Sequence, residues 1–167
     1  MSLERKTAII AGAPGIGKSS LFSEAGRLGF SIADSDSSEF AWLEPSVRNP
    51  DFPRNYIEHI QKLNGQVDVV CVSTHHEVRK ALVDAGVEFT LVYPGSGQKD
   101  EYLRRLKNRP LKPGEDQAER EQFIGLLDAN WEKWVEQQLP NQKHCEHVIL
   151  REGEYLSDRI SDLLRRG

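Results

Sequence analysis

The chain has 167 residues, of which 38% are hydrophobic and 29% charged, and its formal net charge is −4. This composition is ordinary for a globular protein, no apolar run reaches transmembrane length, and the negative charge disfavours a protein coated in nucleic acid. The length predicts a single domain over residues 1–167, large enough to bury a core without disulfides or structural metals. Cys71 and Cys145 do not form a Cys-x-x-Cys motif and no signal-peptide-like segment is present, so we expect a reduced, cytoplasmic protein.

Residues 12–19 read Gly-Ala-Pro-Gly-Ile-Gly-Lys-Ser, a complete G-x-x-x-x-G-K-[ST] motif. The apolar run 7–11 predicts a buried parallel strand before the motif, and residues 18–28 predict a helix after it. In such a unit, main-chain N–H groups and the positive end of the helix form a cradle for phosphate oxygens. The motif therefore predicts an ATP site in which Lys18 reaches the β- and γ-phosphates and Ser19 ligates Mg²⁺. The predicted ATP-binding residues are Gly12, Ala13, Pro14, Gly15, Ile16, Gly17, Lys18, Ser19 and Ser20.

The rest of the chain alternates between short apolar runs and stretches with helical spacing. Further strands are predicted at 30–33, 67–73, 88–93 and 147–150, and helices at 39–43, 54–63, 74–85, 99–108, 115–138 and 155–164. This order predicts an α/β fold, a three-layer sandwich in which a five-stranded parallel sheet has helices on both faces.

Three local features add detail to this prediction. Prolines make residues 44–53 an irregular segment. Thr74 and Glu77 have the spacing of a capping box at the start of their helix. In the long helix, Phe123, Leu127, Trp131 and Trp134 form a stripe at helical spacing, which favours core packing over a base-stacking ladder.

Ligands of parallel sheets bind at the carboxyl ends of the strands, and Asp34 and Asp36 follow the second strand. Opposite an ATP site, one carboxylate can hold Mg²⁺ and the other can accept the proton of an acceptor hydroxyl, so both are candidate substrate-binding residues. The alternative is a solvated turn, in which Asp and Ser are common. No Asp closes the third strand, and by elimination the metal role falls to Ser19 and Asp34. His75, after the third strand, either faces the substrate or begins a helix in water.

Two further segments carry candidate substrate contacts. Residues 98–115 form a predicted arginine-rich lid, where Arg105 and Arg109 lie one helical turn apart and could clamp the transferring phosphoryl group. The break at 110–114 would let this lid move and exclude water, whereas the alternative is a solvated basic helix. Residues 39–64 form a predicted substrate-binding insert, whose aromatic and basic side chains either contact a ring and an anion or pack over the sheet. They are Trp42, Arg48, Phe52 and Arg54.

The loop at 12–19, Asp34-Ser35-Asp36 and the Arg105-x-x-x-Arg109 pair together resemble the small P-loop kinases, which include shikimate, gluconate, adenylylsulfate and nucleoside-monophosphate kinases. The resemblance implies that Asp34 assists the metal or substrate and that Asp36 contacts the accepting hydroxyl. The chain lacks the Asp-Gly-[Phe/Tyr]-Pro-Arg segment that adenylate-type kinases usually show after the third strand. Residues 34–38, 48–60 and 91–94 also look like small bacteriophage-encoded nucleotide kinases, and a related group phosphorylates 5-hydroxymethyluracil within phage DNA.

The predicted activity is therefore an ATP- and Mg²⁺-dependent kinase whose acceptor is a hydroxyl of a nucleotide-like molecule, with DNA as one such acceptor and no membrane partner. Its catalytic residues would be Lys18, Asp36, Arg105 and Arg109. Two alternatives stay open. In a nucleoside-monophosphate kinase, Arg48 or Arg54 would bind the acceptor phosphate, and a non-catalytic nucleotide-binding switch would bind ATP without transferring phosphate.

Overall fold

Five parallel strands form the central sheet of the computed structural model, which describes residues 6–35, 38–44 and 46–166. In chain order the strands are β1 (Ala8–Gly12), β2 (Ile32–Asp34), β3 (Trp42–Glu44), β4 (Val47–Arg48), β5 (Val69–Val72), β6 (Thr90–Pro94) and β7 (Glu146–Leu150). The central sheet has the order β2–β5–β1–β6–β7, whereas β3 and β4 form a separate antiparallel pair. The predicted α/β class and five-stranded parallel sheet are therefore confirmed.

Helices flank this sheet, as expected for a three-layer sandwich. They are α1 (Lys18–Leu28), α2 (Ser38–Ala41), α3 (Arg54–Leu63), α4 (His76–Asp84), α5 (Lys99–Asn108), α6 (Gln117–Trp131) and α7 (Leu156–Arg166). A 3₁₀ turn, Ser96–Gln98, precedes α5, and a π-helical segment, Glu132–Gln138, continues α6. Helix α1 packs beside α7, α3 beside α4, and α5 beside α6. No helix in these described residues is both long and apolar enough to cross a bilayer.

The middle strands of the sheet are buried because both of their faces are covered. All four residues of β5 are buried, and its neighbour β1 pairs with it through Ile9 opposite Val70 and Ile10 opposite Cys71. Continuous apolar runs of this kind are typical of parallel strands with helices on both sides. This packing brings the carboxyl ends of β1, β2 and β5 to one edge of the sheet.

Three local predictions need correction. Helix α4 begins at His76 with His75 as its N-cap, so Thr74 does not form the predicted capping box. The segment 44–53 is not irregular throughout, because β3 pairs with β4 in an antiparallel register, with Glu44 opposite Val47. Its sequence has no Asn-Gly or Asp-Gly pair, the usual signal of a tight hairpin, which is why the pattern did not predict it. The helix predicted over 115–138 is α-helical only to Trp131 and continues as the π-helical segment.

Candidate functional site

A cleft of about 1150 Å³ lies at the carboxyl ends of β1, β2 and β5. Its lining comes from the glycine-rich loop (residues 12–19), the ends of β2 and β5, the start of α4, helix α5 with the residues that follow it, and the aromatic side of α6. This is the edge of a parallel sheet at which ligands bind. The cleft is therefore the candidate functional site.

The glycine-rich loop needs glycine at two positions. Gly15 and Gly17 have φ values of 87° and 99°, in the left-handed region that favours glycine. A Cβ atom on Gly15 would also lie 3.1 Å from the Tyr102 ring. At these two residues the main chain thus follows a path that other residues rarely adopt.

The loop leads directly into α1, whose first turn faces the cleft. Gly17 is the N-cap, and because glycine has no side chain, no side-chain oxygen of this residue accepts from the N–H groups at the positive end of the helix. Nζ of Lys18 donates a hydrogen bond to the carbonyl oxygen of Gly12 at 2.8 Å, which holds the side chain against the loop. Ser19 and Ser20 also line the cleft. Of the predicted ATP-binding residues, Ala13 and Ile16 are buried, and the others line the cleft: Gly12, Pro14, Gly15, Gly17, Lys18, Ser19 and Ser20.

The end of β2 reaches the same cleft. Asp34 is exposed and lines it, whereas Asp36 lies outside the described residues. The buried Tyr56 on α3 joins the ends of β2 and β5, because its hydroxyl donates to the Ser35 carbonyl at 2.6 Å and accepts from the Ser73 amide at 3.3 Å. The sequence pattern identified Tyr56 only as an apolar position of α3 and missed this positioning role.

Beneath these residues, Cys71 is buried in β5, and its burial raises the pKa of the thiol to about 12. Nearby Lys18 opposes this shift and Asp34 adds to it. The thiol therefore stays protonated at neutral pH and offers no nucleophile to the cleft.

Arg105 connects α5 to the glycine-rich loop. Its guanidinium donates to the Gly15 carbonyl at 3.0 Å and to the Glu154 carbonyl at 2.8 Å, and it lies 3.9 Å from the centroid of the Tyr155 ring. Only 8% of the side chain is exposed, and Glu101 lies 3.4 Å away. The structure thus brings Arg105 to the loop, where its present contacts support the loop and the turn before α7.

Arg109 lines the cleft one turn further along, beside a buried arginine that the sequence analysis missed. Arg120 on α6 is only 2% exposed and donates to the carbonyls of Leu106, Arg109 and Pro110 and to Oε1 of Glu115. These bonds attach the segment after α5 to α6. Burial lowers the pKa of Arg109, and the nearby positive charge of Arg120 lowers it further. The spacing of charged residues gave no signal that Arg120 would be buried.

Replacing Glu115 with glutamine should change the acid stability of the protein. The hydrogen bond from Arg120, followed by that from the Lys112 amide, lowers the pKa of Glu115 to about 2. Because an unfolded glutamate titrates near pH 4.3, the stabilising contribution of Glu115 is present above that pH and is lost as the pH falls toward 2. We expect Glu115→Gln to have a lower urea midpoint than the parent at pH 7, with the difference shrinking by pH 3. Glu121→Gln, an exposed position on the neighbouring helix α6, is the control, and a difference independent of pH would contradict the prediction.

The other predicted substrate contacts divide between the cleft and a neighbouring surface. His75 is exposed and lines the cleft, whereas Trp42, Arg48 and Arg54 lie outside its lining. The guanidinium of Arg48 lies 5.3 Å from the centroid of Trp42 and 5.0 Å from that of Phe52, and it forms an ion pair with Glu77. Arg54 pairs with Asp51 at 3.0 Å. The hairpin of β3 and β4 therefore contacts the first turn of α4 through Arg48 and Glu77, and its Trp42 and Arg48 do not line the cleft.

The aromatic stripe of α6 is shared between the core and the cleft. Leu127 and Trp131 are buried, and Nε1 of Trp131 donates to the Ser96 carbonyl at 2.8 Å, which confirms the predicted core packing at these two positions. Phe123 and Trp134 instead line the cleft. The change from α- to π-helical geometry lies between Trp131 and Trp134.

The described residues contain no cluster of three or more histidine, cysteine or acidic side chains arranged to hold a metal ion. Ser19 and Asp34 do line the same cleft, and hydroxyl and carboxylate oxygens are ligands that Mg²⁺ prefers. These two residues could therefore hold Mg²⁺ together with oxygens from a bound phosphate.

Comparison with known proteins yields no match to a family model and no match among curated proteins. Among solved structures, an uncharacterized protein from Eubacterium ventriosum is similar over 97% of each chain, with 12% sequence identity and a TM-score of 0.47. Function is therefore inferred from the residues of the cleft.

Proposed function

We propose that this chain is an ATP- and Mg²⁺-dependent P-loop kinase that transfers the γ-phosphoryl group to a hydroxyl of a nucleotide-like acceptor. One observation carries the proposal: Lys18, the uncapped start of α1 and Asp34 line one cleft at the carboxyl edge of a parallel sheet. A cleft of about 1150 Å³ has room for both a nucleotide and an acceptor.

On the donor side, the loop amides and Lys18 would hold the β- and γ-phosphates, supported by the positive end of α1. Ser19 and Asp34 would hold Mg²⁺, which when bound neutralises charge on the phosphates. Arg105 and Tyr155 lie beside the loop. Tyr155 would contact the rest of the nucleotide, and Arg105 would act on the transferring phosphoryl group. Arg109, which also lines the cleft, would stabilise the charge of the transferring group as the closing arginine of a lid over residues 98–115.

On the acceptor side, Asp36 would orient the hydroxyl and accept its proton. The hydroxyl oxygen then attacks the γ-phosphorus, the bond from that phosphorus to the β,γ-bridging oxygen breaks, and ADP leaves with the electron pair. Support for this role comes from the sequence spacing to Asp34 and from the placement of Asp34 in the cleft. The acceptor we propose is 5-hydroxymethyluracil, as a free nucleotide or within bacteriophage DNA, where phosphorylation would be a step of DNA modification in the host cytoplasm.

An acceptor panel tests this proposal. The protein is incubated with Mg²⁺ and ATP labelled at the γ-phosphate, together with mononucleotides, with DNA containing 5-hydroxymethyluracil, or with thymine DNA of the same sequence. We expect label on a hydroxymethyl acceptor and none on thymine DNA. A DNA acceptor further predicts an affinity that falls steeply with salt, because neutralising phosphates releases counterions.

Two outcomes of the panel would overturn the proposal. Transfer to the phosphate of a mononucleotide would make the protein a nucleoside-monophosphate kinase, whose acceptor needs no general base. ATP binding without labelled product from any acceptor would make it a nucleotide-binding switch.

A further inference from the structure

Arg79, on the first turns of α4, is a buried cation whose hydrogen-bond partners are neutral. Only 2% of the residue is exposed, yet it contributes to the lining of the cleft. Its Nε donates to the Thr74 carbonyl at 2.8 Å, and its Nη1 donates to Oε1 of Gln142 at 2.6 Å. No carboxylate in residues 6–35, 38–44 or 46–166 lies within ion-pair distance of it.

A buried guanidinium in this situation is costly, because burying a charge is unfavourable unless an opposite charge compensates it. Its desolvation lowers the pKa of Arg79, but the group stays protonated because an arginine ionises far above neutral pH. Two neutral acceptors hold the guanidinium plane in place without neutralising it. Such a group is prepared to receive an anion from the cleft, and a phosphate fits the fork of N–H donors that arginine presents.

The cleft that Arg79 lines also offers flat apolar surface. The rings of Phe123 and Trp134 line the cleft, and Leu111 adds a half-exposed aliphatic side chain. None of these side chains belongs to the glycine-rich loop, which supplies the donor side of the proposed reaction. Aromatic faces bind the π-face of a nucleobase, and such stacking tolerates any base.

We propose that Arg79, Phe123 and Trp134 form the acceptor subsite, in which Arg79 binds a phosphate of the acceptor and the two rings contact its base. The inference rests on the proposed kinase function and names the residues that would recognise its acceptor. The acceptor is a phosphate-bearing nucleoside, either a free nucleotide or a segment of DNA, and not an uncharged nucleoside or alcohol. Arg79 is then a specificity-determining residue, separate from the groups that bind ATP.

The test measures binding with the donor site already filled. Wild-type protein saturated with MgADP is titrated with thymidine, with thymidine 5′-monophosphate and with a 5′-phosphorylated tetrathymidylate, in parallel with the Arg79→Gln and Arg79→Lys variants. The control is Lys80→Gln, which removes the same charge from the solvent side of α4, where Lys80 pairs with Asp84. Affinity for MgADP and the urea midpoint are measured for every variant.

The wild type should bind at least one of the two phosphorylated ligands roughly 10- to 100-fold more tightly than thymidine, the range expected of hydrogen bonds to a charged group. Arg79→Gln should lose this preference, Arg79→Lys should keep part of it, and Lys80→Gln should keep all of it, each with unchanged affinity for MgADP. The monophosphate and the tetranucleotide distinguish a free nucleotide from DNA as the source of the phosphate.

Three results would overturn the inference. The first is equal affinity of the wild type for phosphorylated ligands and for thymidine. The second is an Arg79→Gln variant that still prefers phosphorylated ligands as strongly as the wild type does. The third is an Arg79→Gln variant whose affinity for MgADP falls as much as its affinity for phosphorylated ligands, which would assign Arg79 to the donor side or to folding. Failure of the kinase proposal looks different, since it would leave phosphate-dependent binding intact while no acceptor in the panel receives label.

Discussion

Replacing Lys18 with alanine is expected to lower phosphoryl transfer by roughly 10²- to 10³-fold with every acceptor, the usual effect of removing one fixed donor to transition-state charge. Lys18 begins α1, and its Nζ lies 2.8 Å from the carbonyl oxygen of Gly12, so its side chain is held over the loop. A cation in that position would interact with the oxygens between the β- and γ-phosphates, where charge accumulates as the bond breaks. Rates and MgADP affinity are measured together, and both should fall.

The control for this variant is Lys62→Ala, an exposed position in the last turn of α3. It removes the same charge and should leave both activity and MgADP affinity unchanged. Full activity of Lys18→Ala with any acceptor would contradict the role proposed for the glycine-rich loop.

Replacing Asp36 with alanine is expected to lower transfer to a hydroxyl acceptor by about 10²- to 10⁴-fold, the usual contribution of a general base, while ATP binding stays nearly intact. The prediction comes from the Asp34-Ser35-Asp36 spacing and from the exposed carboxylate of Asp34 in the cleft. This variant and Lys18→Ala are therefore expected to differ in nucleotide affinity, which separates an acceptor-side residue from a donor-side one. Single-turnover rates and MgADP titrations measure the two effects.

Asp84→Ala serves as the control for Asp36→Ala, because Asp84 is an exposed carboxylate on α4 that pairs with Lys80. A pH profile adds a second readout. The activity of the parent should fall at low pH, because the general base becomes protonated there. The activity of the Asp36→Ala variant should not show this fall. Unchanged turnover of Asp36→Ala would remove this residue from the mechanism.

The central sheet and the glycine-rich loop could be predicted because their signals are local. Apolar runs such as Val69–Val72 are short and uninterrupted, as buried parallel strands require, and β5 indeed lies within the sheet. The glycines of the loop coincide with positive φ values at Gly15 and Gly17, which side chains disfavour. For the strand and for the loop, the residues that indicate the local conformation are adjacent in the chain.

The arginines of the cleft could not be assigned in the same way. Helical spacing correctly places Arg105 on α5, but its guanidinium contacts the carbonyls of Gly15 and Glu154, residues distant in the chain. Arg79 and Arg120 are buried although most arginines are exposed. Spacing indicates which residues share a helix face, but what that face meets depends on the packing of other elements.

The strand–loop–helix unit around residues 12–19, the parallel α/β sheet and the position of Asp34 at its carboxyl edge could be predicted, because each follows from residues adjacent in the chain. That Phe123, Trp134 and Arg79 line the same cleft as the loop, and that the hairpin with Trp42 and Arg48 lies outside its lining, became visible only in the folded chain. These side chains come from separate elements. Their placement is decided when the helices pack on the sheet and not by any local pattern.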